Sequence, residues 1–391
     1  MSVIAIYRQP SFHLIFCASI GRVRVLRTSA AKVSCSYKVL AMRLAITLFA
    51  TVATISTFSQ AQSSTLHQDG RRTLVAKLSS NDYGLADAAC DMYGNAFVTV
   101  YDTSGESPAD RPLLMFDAAG KLKTSFPSSR KALNLSSFED HHEPSAVLKD
   151  GGVARLVWAN KAMYLALFNA TGELRSRTKL DPPAFFPSGI VMFPSGELLV
   201  SGLEHVHSVR ALSPYKIFTA LYDTDGHLQK RLTLPEDAQI EAAAEIGDAR
   251  YARGPMFGNS AVSYGQIRLG EDGNAYLMRR TSPATVYVIS FSGELLRTLM
   301  IEPAEAGQMP FDMQVAGGRV AVQFSDYCSD GDPCYGNYFT VADAVTGEKL
   351  ADYTGGDASG VFVCYSASPD RFSVLRISDE HALSLVEAKV K

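Results

Sequence analysis

Two short stretches hold four of the chain's eight histidines. They are Asp140-His141-His142-Glu143-Pro144 and Glu204-His205-Val206-His207-Ser208-Val209-Arg210. Imidazoles and carboxylates that converge can hold a divalent metal or pass protons near neutral pH. In that reading His142, Glu143 and His207 are metal ligands, with His141 and His205 beside them. The plainer reading, two polar loops whose histidines face solvent, is preferred, because His-x-His in a loop is a common pattern. Pro144 excludes a helical H-E-x-x-H zinc site.

The remaining polar candidates are single residues. Arg210, Arg279 and Asp312 join the histidines and Glu143 as a candidate ligand-binding face. Asp223-Thr224-Asp225-Gly226 looks like the start of a calcium loop, but no Glu stands at the twelfth position, so it reads as a hairpin turn. Ser188 and Ser195 lack the G-x-S-x-G setting of a nucleophile elbow. Trp158, the one tryptophan, lies in an apolar strand and reads as core. No catalytic set emerges from these residues.

The elements that must position these side chains come from a repeat. Leu269 to Pro303 reads as strand, turn, strand, loop, strand, turn, strand. Glu271-Asp272-Gly273-Asn274 is a tight turn, since Gly and Asn tolerate the positive φ such hairpins need. Val286 to Phe291 is β-branched and aromatic, which suits a pleated sheet. Closing turns recur at Gly120, Gly172, Gly226, Gly293 and Gly347, separated by 52, 54, 67 and 54 residues. Six first hairpins and five complete second ones predict an all-β, six-bladed β-propeller with four-stranded antiparallel blades. Residues 235–259 account for the longest gap, as a short helix capping one face or as a surface loop.

The sixth closure is expected from the other end of the chain. The segment from His381 to Val390 reads as a third strand with no fourth after it. Thr73 to Leu78 looks like an orphan fourth strand, and pairing the two removes the last exposed edge. Such a ring brings loops distant in sequence to one rim. The loop leading into each inner strand and the loop between second and third strands share that face.

Residues 1–61 contain no Asp or Glu. Met42-Arg43, a short apolar run and Ser59-Gln60-Ala61 make a secretory signal peptide over 42–61. Residues 1–41 read as upstream sequence outside the natural protein, 62–71 as a linker, and 72–391 as one propeller domain. Removing 1–61 takes away seven basic residues and moves the formal charge from −3 to −10. An acidic domain without a Lys/Arg stripe argues against nucleic acid and against anionic membrane surfaces. The mature chain is expected to be a periplasmic or secreted monomer without a membrane span.

Of the six cysteines, Cys17 and Cys35 fall in the leader. Cys328 and Cys334 flank a short Gly/Pro loop, and a local disulfide is expected there. Cys90 and Cys364 fall on inner strands of the first and last blades. They either bridge the closure or remain buried free thiols.

Leu269 to Leu295 and Ala86 to Leu122 resemble the NHL-type six-bladed propellers in their Gly-Asn turn, valine-rich strand and closing Phe-Asp-x-x-Gly turn. That resemblance implies architecture. A looser similarity is to the gluconolactonase and senescence-marker class, six-bladed calcium or zinc hydrolases. It rests on Glu143-Pro144 and on Ser368-Pro369-Asp370-Arg371, and it implies a metal at the channel mouth and hydrolysis of lactones or esters. The reading preferred from the residues themselves is an exported propeller, without a cofactor, that binds a protein, peptide or small ligand on its loop-rich face. The metal-dependent hydrolase, with calcium or zinc, is the alternative.

Overall fold

A computed structural model describes residues 3–9, 12–19, 22–24, 64–75, 78, 83–102, 111–127, 132–133, 144–159, 162–184, 186–204, 216–246, 262, 266–326, 338–356, 358–378 and 381–390. The chain divides into two compact units, Met1–Gln60 and Ala61–Lys391. In the first, β1 (Val3–Gln9), β2 (Phe12–Ser19) and β3 (Arg22–Arg24) form one antiparallel sheet. The second unit begins with β4 (Ser64–Val75).

Antiparallel meanders follow. The first is β5 (Tyr83–Cys90), β6 (Ala96–Asp102), β7 (Leu113–Phe116) and β8 (Leu122–Phe126). The second is β9 (Ser145–Val147), β10 (Val153–Ala159), β11 (Ala162–Phe168) and β12 (Leu174–Lys179). The third is β13 (Pro187–Met192), β14 (Leu198–Glu204), β15 (Lys216–Tyr222) and β16 (Leu228–Arg231). Helix α1 (Asp237–Ile246) precedes the fourth. That one is β17 (Ile267–Leu269), β18 (Ala275–Arg279), β19 (Ala284–Ile289) and β20 (Leu295–Ile301).

These four meanders are separate four-stranded sheets. The other strands of the unit share one eight-stranded sheet, where two further four-stranded sheets were expected. It contains β21 (Met309–Ala316), β22 (Arg319–Ser325), β23 (Tyr338–Asp343), β24 (Lys349–Thr354), β25 (Val361–Ala367), β26 (Asp370–Ile377) and β27 (Leu383–Val390). Its order is β21-β22-β23-β24-β4-β27-β26-β25. The join is slight: β24 and β4 run parallel and pair only at Tyr353↔Ser64 and Thr354↔Thr65. From Leu66 to Val75, β4 instead lies antiparallel to β27. The expected partnership of the N-terminal strand with the last segment is therefore present. It begins at Ser64, inside the stretch read as linker.

The burial pattern explains why the meanders stack. Every residue of β18, Ala275 to Arg279, is buried, which a sheet with one wet face does not allow. Side chains alternate between the two faces. Leu277 packs with Leu199 and Leu221 of the preceding meander, while Met278 packs with Val320 and Phe324 of the following strands. The same arrangement recurs with Phe126 against Phe168, Leu165 against Val200, and Phe339 against Phe362. Val363 and Leu385 pack against Val98 and Phe116, so the last strands meet the first meander. First strands neighbour first strands in the order β5, β9, β13, β17, β21, β25, and β25 lies beside β5. The unit is a β-propeller.

The five closing-turn glycines all adopt positive φ, between +71° and +85°. At Gly226 space adds to the conformational demand. A Cβ there would stand 2.3 Å from the Lys179 carbonyl oxygen of the neighbouring meander. Only glycine meets both conditions at that turn.

Candidate functional site

In each meander the start of the first strand and the connection between the second and third strands lie at the same end. At this leading end the fourth meander and β21 place charged groups together. Arg268 projects from β17, and its Nη2 donates to Asp312 Oδ1 at 3.1 Å. The Met313 N–H donates to the same oxygen at 2.7 Å. Asp312 is 4 % exposed. Burial pushes its carboxyl up to about 6, against the opposing pull of Arg268, the Met313 N–H and Arg280.

Arg280 follows β18. Its Nε donates to the Pro310 carbonyl at 2.6 Å, and its guanidinium lies 5.5 Å from the centre of the Phe311 ring. A hydrogen bond and a cation–π contact together set the plane of the group. A β-bulge between Pro310 and Asp312 breaks the register with β22. Bulges of this kind re-aim side chains at strand ends.

Arg279, expected on the rim, is instead enclosed at 1 % exposure. Its Nη1 donates to Ser201 Oγ at 2.8 Å and its Nη2 to Thr219 Oγ1 at 3.0 Å. Both Nε and Nη2 donate to Asp237 Oδ1, at 3.3 and 3.2 Å. The other oxygen of Asp237 accepts the Leu234 N–H at 3.1 Å, ahead of α1. Arg279 thus binds the third meander, the fourth meander and the helix start into one buried polar knot. Its donors are spent on structure.

The helix read as one option for residues 235–259 is present as α1. Ile240 packs with Leu203 and Val262, and Glu241 Oε1 accepts the Ile217 N–H at 2.7 Å. The helix therefore seats on the leading end of β14 and β15. Trp158 packs against the apolar cluster shared by the second and third meanders.

His141, His142, Glu143, His205, His207, Arg210, Cys328 and Cys334 lie outside the described residues. Of the proposed face the structure thus locates Arg279, on β18, and Asp312, on β21, in different settings. Arg268 was missed. The one signal in the sequence was a basic residue in the short inner strand Ile267-Arg268-Leu269. Among the described residues, no group of three His, Cys, Asp or Glu side chains is placed to hold a metal ion. No helix among them is long and apolar enough to cross a membrane.

Cys90 and Cys364 form a disulfide with a Cα–Cα separation of 5.2 Å. Of the two alternatives open for these cysteines, the bridge is the one present. It joins β5 to β25.

No family profile matches the chain, and no curated protein matches it. Solved structures similar to it include a protein of unknown function from Bacteroides caccae, at 10% identity, 70% coverage of this chain and 83% of that one, and a TM-score of 0.42. A catalytically inactive virginiamycin B lyase from Staphylococcus aureus shows 12% identity over 81% of this chain and 99% of that one, with a TM-score of 0.41. BamB from Moraxella catarrhalis shows 11% identity over 82% and 99%, with a TM-score of 0.35. At such values the class, β-propeller, rests on the chain's own strand order and packing.

Proposed function

We propose that this chain is an exported, monomeric six-bladed β-propeller that binds a protein, peptide or small ligand at its leading end, without a cofactor. The eight-stranded sheet counts as two blades in this reading, since only two residue pairs join its halves. Strand β4 then serves as the fourth strand of the last blade and closes the ring. The neighbourhood of β25 and β5 and their disulfide support that closure. The disulfide also favours an oxidising compartment, in keeping with the signal-peptide pattern.

The observation that carries the binding reading is the Arg268–Asp312–Arg280 group. Arg268 and Asp312 are charged side chains on innermost strands, where burial costs desolvation. Arg280 is half-buried and held in a fixed plane beside the Arg268–Asp312 pair, so a cation of set orientation stands at the leading end, where it attracts acidic groups. Functional groups on rigid strands at a propeller mouth suit recognition more than support.

The test is a thermal-shift screen of the chain from residue 62 against small carboxylic acids and short peptides, with Arg280→Ala in parallel. Ligands that raise the melting temperature of the wild type and fail with the variant are the expected result. A screen in which every stabilising ligand acts equally on both proteins would count against this site.

A further inference from the structure

The outermost strands of the propeller are not alike. β12 shows exposed Arg175, Arg177 and Lys179; β16 shows Lys230 and Arg231; the short β8 shows Lys123. Charges of this kind keep a sheet edge from pairing with another chain. β24 shows no exposed charge, but the end of its far edge is taken by β4 at Tyr353↔Ser64 and Thr354↔Thr65. β20 carries no exposed charge within its span. Its one charged residue, Arg297, is turned toward the next meander, where Nε donates to the Ala344 carbonyl at 3.1 Å. Its exposed side chains are instead Leu295, Leu296, Thr298 and Met300, and Phe291 stands in the turn before it. Leu296 is 46 % exposed, Met300 45 % and Phe291 57 %.

Leu296, Thr298 and Met300 share one face by the two-residue period of a strand. Among the described residues β20 pairs only with β19, so its far edge keeps a row of backbone donors and acceptors open. Two exposed carboxylates, Glu294 and Glu302, bracket this edge. They decide the occupant. A second copy paired antiparallel about Thr298 would set Leu296 against Met300, but would also bring Glu294, in the turn beyond the bulge at Ile289, close to Glu302 at both ends. Like charges across a strand pair destabilise it.

We infer that the outer edge of β20 is a β-augmentation site for an extended peptide segment of a partner protein, one with alternating apolar residues between basic ends. Backbone hydrogen bonds to the edge give affinity. Alternate side chains over Leu296 and Met300, with basic groups against Glu294 and Glu302, give selectivity. This surface lies on the circumference, and the inference stands independently of the leading-end reading.

The probe is a synthetic peptide as long as segment 294–302, with lysine at both ends and alternating valine and threonine between. A control carries glutamate at both ends. Fluorescence anisotropy at low ionic strength should show the lysine-ended peptide binding about tenfold more tightly. Met300→Lys should abolish its binding, and Glu294→Gln with Glu302→Gln should bring the two peptides to equal affinity. Circular dichroism checks that each variant is folded. Equal affinity of both peptides for the wild type, binding of neither, unchanged binding by a folded Met300→Lys variant, or wild-type dimers in sedimentation would each overturn the proposal.

Discussion

Cys90 on β5 and Cys364 on β25 are joined by a disulfide across 274 residues of sequence. Their strands are the inner strands of the first meander and of the last three-strand run. The bond thus ties the first meander to the last three-strand run. A crosslink that spans most of a domain restricts the unfolded chain more than a short one does. Cys90→Ser with Cys364→Ser should lower unfolding stability by about 2–4 kcal/mol. The check is the guanidinium midpoint of the wild type with and without reductant. The reduced wild type should match the double variant.

β4 holds the last of these strands by hydrogen bonding. It pairs with β27 from Leu66↔Val390 to Val75↔Leu383 and buries Leu66 beside Phe339 and Phe372. Removing residues 64–75 leaves β27 as an unpaired edge and uncovers that core. The truncated chain is expected to melt earlier and less cooperatively than one that begins at residue 62, and to aggregate on concentration. Calorimetry and light scattering of the two proteins test this. An unchanged melting temperature would mean that β4 adds little to the fold.

The turns were the most legible part of this chain, because a positive φ selects glycine and leaves it at a regular spacing. Gly120, Gly172, Gly226, Gly293 and Gly347 all fall where the spacing placed them. The start of β4 was hidden. Ser64-Thr65-Leu66-His67-Gln68-Asp69-Gly70 is polar, as suits an outer strand with a wet side, and its burial comes from β27, which lies over three hundred residues later. The polar groups of the leading end were legible as types and not as partners. Arg279 and Asp312 both looked like rim residues. What separates them is Asp237, 42 residues before Arg279 and closed on it only by the seating of α1. Arg268 passed as an ordinary strand residue because its partner lies 44 residues further on.

The Arg279–Asp237 pair makes a prediction about stability alone. Both side chains are nearly inaccessible, and the guanidinium also serves Ser201 and Thr219. Removing one partner leaves the other charged group buried and uncompensated, which costs about 3–5 kcal/mol. Asp237→Ala should cost more than the loss of a helix cap, which is about 1 kcal/mol. Chemical denaturation separates the two magnitudes. A loss near the smaller figure would show that water reaches Arg279 once the carboxylate is gone.

Asp312 predicts a pH dependence whose sign runs against that of ordinary ion-paired carboxylates. Its folded-state value, about 6, lies above the ordinary 3.8, because burial outweighs the attraction of Arg268. Between these values the folded protein binds more protons than the unfolded one. Folding is therefore favoured at the acidic end and loses stability as pH rises through the window from about 4 to 6. Above it the contribution is constant. Asp312→Asn removes the titration, so the stability of the wild type relative to the variant should fall by about 2 kcal/mol between pH 4 and pH 7, with most of the change below pH 6.5. Urea denaturation of both proteins across that range gives the difference directly. A difference that rises with pH would mean that the pairing with Arg268 outweighs burial and that the carboxylate stays ionised in the folded protein.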